Sequence, residues 1–380
     1  MPNHPNQIFA GFADKNATLF RRLGVPLGDP AAFLQFGDRQ IAVVRDLEMD
    51  RVRQQRPGIE VTCPADHAGN DGMSADRETA TAQAVANLAK AHGVTSLSGD
   101  RSLPLIFSWH LAAQGITVDY DADSGVADRR CKTEAEIEAL TLAQATTETV
   151  MQMICETLAD AAVDADGFLI HQGDVLTSER VRTMAAIAFL HRGFTMDHGA
   201  IVATAPEVAD CHHAGTGPLR TDVPIVVDLF PRSQQTRFWG DCTRTVVNGT
   251  PGEEVIRMHA AVVDAKAACT AKLITGTTAG DAHAASEATL LRHGYASSRG
   301  NITDGPTIQH GTGHGIGLDV HEPILLDEGG GPMLENEVFT VEPGLYGRRT
   351  GGVRVEDMVV VTADGPRILN TLHEGLDWRS

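Results

Sequence analysis

Two pairs of acidic residues with similar spacing stand out in the second half of the sequence. Asp228 follows an apolar run and Asp241 comes 13 residues later, whereas Glu342 follows a second apolar run and Glu356 comes 14 residues later. An ionised carboxylate at the end of a buried strand is strongly destabilising unless a partner compensates its charge. Carboxylates that converge repel one another and usually share a divalent metal ion. The repeated spacing therefore predicts one metal-binding site built from two similar halves.

Each acid also has a simpler interpretation when it is considered alone. Asp228 could be a turn residue at the end of a strand. Asp241 and Glu356 lie close in sequence to Arg244 and Arg354, which suggests ion pairs instead of metal binding. These interpretations stay open for single residues, but four acids at matching places favour a shared site.

Nitrogen donors for such a site lie in the glycine-rich segment HGTGHGIGLDVHEP, which carries His310, His314 and His321. Its glycines argue against a continuous helix, so the spacing of His310 and His314 is not that of a helical zinc pair. The segment also lacks the context of a dinucleotide-binding loop. Its glycines instead allow the backbone and the imidazoles to approach a ligand closely. We predict His314 as a metal ligand beside the four acids.

The elements that must position these residues form an α+β pattern: helices, strands, helices and strands again. The predicted helices are Glu134–Ala161, Ser178–His191, Glu253–Ile274 and Asp281–His293. The predicted strands are Ala200–Ala205, Pro224–Phe230, Thr243–Asn248, Glu337–Val341 and Val353–Thr362. A helix-helix-strand-strand unit that occurs twice would bring all four acids onto one shared sheet.

The chain divides into two predicted domains, residues 1–129 and 130–380, at the polar segment Asp121–Arg130. In the first domain, short strands alternate with helices, and a turn at Gly37 and Asp38 joins two of the strands. This alternation predicts a mixed α/β sheet covered by helices. The cluster of candidate catalytic residues lies in the second domain.

The composition excludes several classes of function. With 31 Lys and Arg against 50 Asp and Glu, the formal charge is −19, which argues against a nucleic-acid-binding surface. No apolar run is long enough to span a membrane, and the first residues lack the basic start and apolar core of a secretory signal. The six cysteines contain no CxxC pair, so we expect a reducing compartment and a cytoplasmic protein.

Three motifs, HGTGHGIGLDVHEP, TVEPGLY and RVEDMVVVT, strongly resemble those of the pita-bread metallopeptidases, in particular the aminopeptidase P and prolidase branch. The resemblance implies an α+β pita-bread catalytic domain with two units related by pseudo-twofold symmetry. It also implies a smaller α/β N-terminal domain of the creatinase type, with a ribonuclease-H-like fold. Both expectations agree with the division of the chain at residue 130.

The resemblance further implies a site with two divalent metal ions. Asp228 would bind one ion, His314 and Glu342 would bind the other, and Asp241 and Glu356 would bridge the pair. One imidazole among four carboxylates is an oxygen-rich ligand set that suits Mn²⁺ best and also permits Co²⁺, Fe²⁺ or Zn²⁺. Two such ions would activate a bridging water for attack on a peptide carbonyl.

Further residues match the positions that the family uses for catalysis and substrate binding. Glu342 would transfer the proton of the attacking water. His310, His321 and His212 would contact the substrate carbonyl and the proline site, with His213 as the alternative to His212. Arg354 matches a position near the substrate pocket, and a purely structural partner of Asp241 or Asp357 is its alternative role.

Two cysteines and one loop beside the expected site need separate interpretation. Cys211 directly precedes His212 and Cys242 directly follows Asp241. Inert packing is favoured for both, because a metal centre would already supply the nucleophile. The loop between Asp228 and Asp241 is longer than in many relatives, and its Arg232, Arg237 and Trp239 could reshape the rim of the pocket.

The resulting hypothesis is metal-dependent hydrolysis of the Xaa-Pro bond of a proline-containing peptide, in a homodimer. The sequence leaves open whether the enzyme is an aminopeptidase or a dipeptidase. The alternative is a different reaction on the same fold, either that of a creatinase-like amidinohydrolase or that of a metal-dependent lyase acting on a small organic acid. A binding protein without catalysis is disfavoured, because the metal ligands are intact and no basic tail is present.

Overall fold

The computed structural model describes residues 6–70 and 72–379. Backbone contacts divide the chain into two units, Met1–Arg129 and Arg130–Ser380. The assignment of these units to independently folding domains stays a prediction. The prediction that the first residues are not a secretory signal rests partly on residues 1–5, which lie outside the described residues.

The first unit is built on a mixed six-stranded sheet with the order β4-β3-β2-β1-β5-β6. The strands are β1 (Asn6–Gly11), β2 (Ala31–Phe36), β3 (Arg39–Val43), β4 (Glu60–Thr62), β5 (Ser96–Gly99) and β6 (Thr117–Tyr120). The helices of this unit are α1 (Ala17–Leu23), α2 (Met49–Gln55), α3 (Arg77–Ala91) and α4 (Leu105–Ala113). Strands β1 to β3 pair antiparallel, whereas β4, β5 and β6 each pair parallel to a neighbour. The predicted α/β unit with a mixed sheet is therefore present.

Local sequence signals explain where these elements begin and end. The predicted turn at Gly37 and Asp38 joins β2 to β3, because Phe36 pairs directly with Arg39. Helix α3 begins after Asp76, whose carboxylate accepts a hydrogen bond of 2.8 Å from the amide of Thr79. An aspartate in this position satisfies one of the free amides at the start of a helix.

Four longer helices belong to the second unit, and a short helix, α5 (Val126–Arg130), precedes them in the chain. The longer helices are α6 (Glu134–Ala159), α7 (Ser178–Leu190), α8 (Glu253–Thr270) and α9 (Ala279–Arg292). All four were expected from sequence, with ends that differ by up to a few residues. A capping box begins α6, since the side chains of Thr133 and Glu136 each accept a hydrogen bond from the other residue's amide.

The strands of the second unit are distributed over several small sheets. They are β7 (Ala162–Val163), β8 (Leu169–His171), β9 (Asp174–Val175), β10 (Phe194–Thr195), β11 (Ala200–Ala203), β12 (Pro224–Leu229), β13 (Arg232–Ser233), β14 (Cys242–Val247), β15 (Gly313–Gly315), β16 (Glu322–Leu326), β17 (Val338–Val341), β18 (Gly344–Gly347), β19 (Gly351–Arg354), β20 (Asp357–Val360) and β21 (Arg367–Ile368). The main antiparallel sheets have the orders β11-β12-β14 and β16-β15-β17-β20-β21, and β18 pairs with β19.

The order of elements along the chain is similar in the two halves of this unit. Helices α6 and α7 precede β11, β12 and β14, and helices α8 and α9 precede β15, β17 and β20. The prediction of one strand over Val353–Thr362 is wrong, because β19 and β20 belong to different sheets. Val355 and Glu356 separate these two strands, so the backbone changes sheets beside one of the four acids.

Burial of apolar side chains explains the packing of the helices on the first of these sheets. Every residue of β12 and β14 is buried, and one apolar cluster joins both strands to α6 and α7. A strand buried on both faces requires the nearly continuous apolar sequence that is found in Ile225–Val227.

Among the described residues, no helix is both long enough and apolar enough to cross a membrane.

Asn248 links the end of β14 to the end of α6. Its side-chain amide group donates hydrogen bonds of 2.9 to 3.0 Å to the carbonyl oxygens of Leu158, Ala159 and Ala161. Carbonyl groups in the last turn of a helix have no partner within the helix. Because Asn248 is buried, removal of its side chain would leave these carbonyl groups without a hydrogen-bond donor.

We therefore predict that Asn248→Ala lowers the free energy of unfolding by about 1–3 kcal/mol, as expected when buried hydrogen-bonding groups lose their partner. Urea denaturation of the full chain measures this change. The control is Asn301→Ala at an exposed position, for which we expect a change within about 0.5 kcal/mol. Equal effects of the two substitutions would contradict the role given to Asn248.

Candidate functional site

The predicted site residues line one cavity of about 550 Å³ in the second unit. The cavity lining includes His212, Asp228, Asp241, His310, His314, His321, Glu342, Arg354 and Glu356. These residues are spread over more than a hundred positions of the sequence, so the fold brings them together.

All four acids lie at or near the ends of strands. Asp228 is the fifth residue of β12, and Asp241 directly precedes β14. In the second half, Val341, the last residue of β17, pairs with Asp357, the first residue of β20. Glu342 directly follows β17 and Glu356 directly precedes β20, so both lie just beyond this pair. The hydrogen bonds between the strands therefore fix the backbone positions of the acids independently of any ligand.

Hydrogen bonds between the two halves bring Glu356 towards Asp241. The hydroxyl of Thr243 donates a bond of 2.7 Å to Oε2 of Glu356, and the amide of Glu356 donates one of 3.1 Å to the carbonyl of Thr243. Thr243 lies two residues after Asp241 on the same chain segment. One threonine thus fixes both the backbone and the side chain of Glu356 beside the first half.

His314 lies between acids of the two halves. Its Nε2 is 3.8 Å from Oδ2 of Asp241 and 3.6 Å from Oε1 of Glu342. Its Nδ1 lies 3.1 Å from the carbonyl of Gly315, which accepts a hydrogen bond from it. A proton held on Nδ1 leaves the lone pair of Nε2 directed towards the acids, as a metal ligand requires.

Glycine at position 313 permits the close approach of β15 to β17. A Cβ atom at Gly313 would lie 2.0 Å from the carbonyl oxygen of Thr340. The hydroxyl of Thr340 accepts a hydrogen bond of 3.1 Å from the amide of His314. The glycine-rich sequence therefore has a steric function, because it lets the imidazole of His314 reach the acids from a strand.

These donors satisfy the requirements of a divalent metal site. One ligand atom from each of Asp241, His314 and Glu356 lies within 4.8 Å of the others. Oδ1 of Asp228 is buried and has no hydrogen-bond partner among the described residues. A buried carboxylate oxygen without a donor is strongly unfavourable unless a cation compensates it. The donor set, rich in oxygen with one imidazole, fits a divalent cation.

Burial and mutual repulsion shift the pKa values of the side chains in this cluster. Burial and the neighbouring Glu356 carboxylate raise the pKa of Asp241, and burial together with Glu342 raises the pKa of Glu356. Burial, opposed by Arg354, raises the pKa of Glu342 to about 7. Burial and His321 lower the pKa of His314 to about 3. A divalent cation would favour the ionised carboxylates and the neutral imidazole.

Arg354 is the buried cation of the cavity. Its Nη2 lies 2.7 Å from Oδ2 of Asp228, and its Nε lies 3.9 Å from Oε2 of Glu342. The alternative prediction, that Arg354 pairs with Asp241 or Asp357, is therefore wrong. Burial alone would lower the pKa of Arg354, but Tyr346, Asp228 and Glu342 raise it above its ordinary value.

Arg244, the possible partner of Asp241, instead binds a different acid. Its Nη2 lies 2.9 Å from Oδ1 of Asp357, and its Nη1 donates a hydrogen bond of 2.6 Å to the carbonyl of Glu356. Lys266 pairs with the same Asp357 carboxylate. This buried network fixes the backbone next to Glu356 and leaves the Asp241 carboxylate to the cavity.

Tyr346 is a buried residue behind the cavity wall that sequence reasoning did not assign. Its hydroxyl accepts a hydrogen bond of 2.8 Å from Nη1 of Arg354 and lies 2.8 Å from Nε2 of His310. Tyr346 thereby links a candidate substrate-binding histidine to the arginine that pairs with Asp228. The motif TVEPGLY contained this residue, but only the three-dimensional pairing reveals its partners.

The remaining histidines differ in their surroundings. The rings of His314 and His321 meet edge to face, with centroids 4.3 Å apart. His212 lines the cavity, whereas Nδ1 of His213 accepts a hydrogen bond of 3.0 Å from the amide of Gly215. The geometry therefore favours His212 over His213 as the residue that faces a substrate.

The loop between Asp228 and Asp241 packs against a histidine of the cavity wall. The ring of Trp239 stacks on His198, with centroids 5.1 Å apart, and its Nε1 donates a hydrogen bond of 3.0 Å to the carbonyl of Leu318. The guanidinium carbon of Arg232 lies over the ring of Trp239, 5.4 Å from its centroid. His198 also lines the cavity, so Trp239 contacts the cavity wall through this histidine, and its effect on the pocket stays a prediction.

Comparison with known proteins places these features in a family context. Residues 138–363 match the model of metallopeptidase family M24. The chain is 30% identical over 243 residues to the probable dipeptidase PepE of Mycobacterium tuberculosis, an alignment that covers 64% of this chain and 59% of that protein. It is 28% identical over 286 residues to the Xaa-Pro dipeptidase of Pyrococcus horikoshii, with 73% of each chain covered. The chain thus spans less than two thirds of the mycobacterial relative.

The fold is shared with a solved peptidase structure. The Xaa-Pro dipeptidase from Bacillus anthracis superposes with a TM-score of 0.79 and 21% identity, over 98% of this chain and 94% of that chain. This similarity covers both units and confirms the predicted fold class, an α+β pita-bread arrangement preceded by a smaller α/β unit.

The surroundings of His310 generate a prediction about pH. Burial and the nearby Arg354 lower the pKa of His310 to about 4, below the value of about 6.5 for an unfolded chain. Folding therefore favours the neutral ring, and its contribution to stability is complete above pH 6.5 and decreases as the pH falls towards 4. An NMR titration, with the signal assigned by His310→Gln, should give a midpoint near 4 in the folded protein. If the midpoint for His310 in the folded protein were as high as in the urea-unfolded chain, the claim that folding buries this ring would be contradicted.

Proposed function

Because the chain belongs to metallopeptidase family M24, we propose that it is a metal-dependent exopeptidase that hydrolyses Xaa-Pro peptide bonds. The observation that carries this proposal is the convergence of Asp228, Asp241, His314, Glu342 and Glu356 in one cavity. The dipeptidase names of the relatives support the substrate class. They also disfavour the alternatives, a creatinase-like amidinohydrolase and a metal-dependent lyase.

A metallopeptidase of this family uses divalent metal ions, and the donor set of the cavity fits them. We propose two ions: Asp228 would hold one, His314 and Glu342 the other, and Asp241 and Glu356 would lie between them. Mn²⁺ suits these oxygen-rich ligands best, with Co²⁺, Fe²⁺ or Zn²⁺ as alternatives. When bound, such ions polarise a carbonyl group and lower the pKa of water.

Glu342 is the proposed proton carrier. Its carboxylate lies between Nε2 of His314, at 3.6 Å, and Nε of Arg354, at 3.9 Å, at the edge of the cavity. A carboxylate there can accept the proton of an attacking water and return it to the leaving nitrogen. The nitrogen of an Xaa-Pro bond carries no hydrogen, so it must gain a proton before it departs as the secondary amine of proline.

The histidines and Arg354 are proposed to bind and orient the substrate. His310, His321 and His212 line the same cavity as the acids. His321 and His212 can donate an N–H group to the carbonyl oxygen as negative charge develops on it. Both ring nitrogens of His310 have partners in Gly311 and Tyr346, so this ring would shape the pocket. Arg354 holds Asp228 at 2.7 Å and is held in turn by Tyr346. It therefore keeps one carboxylate in place while contributing a positive charge to the pocket.

Assembly and location are further parts of the proposal. We propose a homodimer, as the family resemblance implies, with residues 1–129 and 130–380 as separate domains. We also propose a cytoplasmic location, which is supported by the scattered cysteines, since none of the six forms a disulfide. No nucleic-acid or membrane partner is proposed.

Metal removal gives the first test. We predict that stripping with EDTA lowers hydrolysis of Xaa-Pro peptides at least about 10³-fold, because several kcal/mol of charge stabilisation is lost. Reloading with Mn²⁺ should restore it. The assay compares Xaa-Pro dipeptides with longer Xaa-Pro-Yaa peptides by measuring released amino acid, which also decides between a dipeptidase and an aminopeptidase. Creatine serves as the control substrate, and turnover of creatine without peptide hydrolysis would overturn the proposal.

Asp241→Asn gives the second test. The substitution keeps the shape of the side chain but removes a charge from the cluster, so we expect loss of bound metal and a fall in kcat of at least about 10³-fold. Metal content is measured on the purified protein by elemental analysis. The matched control is Asp304→Asn, an exposed acid whose carboxylate lies 4.0 Å from Arg349, and it should retain both metal and activity. Full metal content in Asp241→Asn would refute its ligand role.

A further inference from the structure

A second group of metal-binding side chains lies beside the carboxylate cluster. Asp210, Cys211 and His212 follow the 3₁₀ turn Glu207–Ala209, and one ligand atom from each lies within 4.8 Å of the others. Cys211 and His212 also line the cavity. None of the three belongs to the ligand set proposed for catalysis.

The chemistry of this group differs from that of the catalytic cluster. A thiolate and an imidazole are softer donors than carboxylates, and they select Zn²⁺ and similar thiophilic ions over Mn²⁺. Sγ of Cys211 lies 3.9 Å from Nδ1 of His212. In a tetrahedral zinc site, a sulfur and a nitrogen ligand are about 3.6 Å apart. A shift of a few tenths of an ångström would therefore bring both atoms to bonding distance of one ion.

The loop is held in place while its donors stay accessible. Nη1 of Arg354 donates a hydrogen bond of 3.3 Å to the carbonyl of Cys211, and Oδ1 of Asp210 accepts one of 3.0 Å from the amide of His212. Asp210 and His212 are exposed, and Cys211 is half-buried. The backbone is thus anchored to the cavity wall, and the exposed side chains of Asp210 and His212 are open to solvent that can deliver an ion.

We propose that Asp210, Cys211 and His212 form a separate binding site for a thiophilic divalent cation, Zn²⁺ or Cd²⁺. Binding forms a bond between the metal and Sγ of Cys211, and the proton of the thiol is released to solvent. Water completes the coordination of the ion.

Occupation of this site has a consequence for the cavity. An ion on Nδ1 of His212 fixes the ring towards Cys211 and places a positive charge on the cavity wall. If His212 contacts the substrate, the bound ion inhibits hydrolysis. This consequence rests on the proposed function, whereas the binding site itself does not.

Cadmium binding tests the site directly. The full-length purified protein is titrated with Cd²⁺, and the ultraviolet charge-transfer absorption of a cadmium–thiolate bond is recorded. We expect an absorption that saturates in the wild type, is absent in Cys211→Ser and is retained in Cys131→Ser, a control at an exposed cysteine. A wild type without this absorption, or an absorption that survives in Cys211→Ser, would overturn the proposal.

Inhibition of peptide hydrolysis by Zn²⁺ tests whether occupation of this site affects the cavity. Neither Cys211 nor Asp210 has a catalytic role here, so Cys211→Ser and Asp210→Asn should hydrolyse Xaa-Pro peptides at the wild-type rate without added zinc. We expect the zinc concentration for half-inhibition to rise at least about tenfold in both variants. Unchanged inhibition in Cys211→Ser would overturn the regulatory consequence. Cadmium binding at Cys211 in a protein that cleaves no Xaa-Pro peptide would instead refute the proposed function and leave the site intact.

Discussion

Repulsion among carboxylates that are buried together is the constraint on which the second unit depends. Asp228, Asp241 and Glu356 are almost fully buried, and Glu342 closes the same group at the edge of the cavity. Within the described part of the chain, Arg354 is the cation that reaches this group, through Asp228 and Glu342. One positive charge cannot balance four negative ones in a medium of low dielectric constant. Divalent cations would supply the missing charge, and this requirement links the fold to metal-dependent chemistry.

The surrounding structure holds the acids together against their repulsion. The strand ladders place each acid at or near a strand end, and Thr243 bonds to both the backbone and the side chain of Glu356. A second buried network, Arg244 with Asp357 and Lys266, fixes the adjacent backbone. Loss of one partner from such a network leaves a buried charge uncompensated, which costs several kcal/mol. Rigidity of the site therefore comes from hydrogen bonds that take no direct part in catalysis.

Sequence reasoning identified residues that converge in one cavity and missed most of those that hold them in place. The spacing of Asp228 and Asp241, repeated by Glu342 and Glu356, was sufficient to predict their convergence, and the four long helices were predicted to within a few residues. The partners of Arg354 and Arg244 could not be predicted, because sequence neighbours such as Asp241 compete with residues more than a hundred positions away. The strand predicted over Val353–Thr362 was wrong for a related reason. Its apolar pattern continues across Glu356, but the chain changes sheets there.

Anomalous X-ray diffraction from crystals of the protein loaded with Mn²⁺ tests the central claim most directly. The claim is that divalent cations compensate the buried acids. It predicts two anomalous peaks within the cavity, both in contact with Asp241 and Glu356, one also with Asp228 and the other with His314 and Glu342. Peaks only at the protein surface, or an ordered cavity with the four acids and no anomalous signal at saturating Mn²⁺, would contradict it.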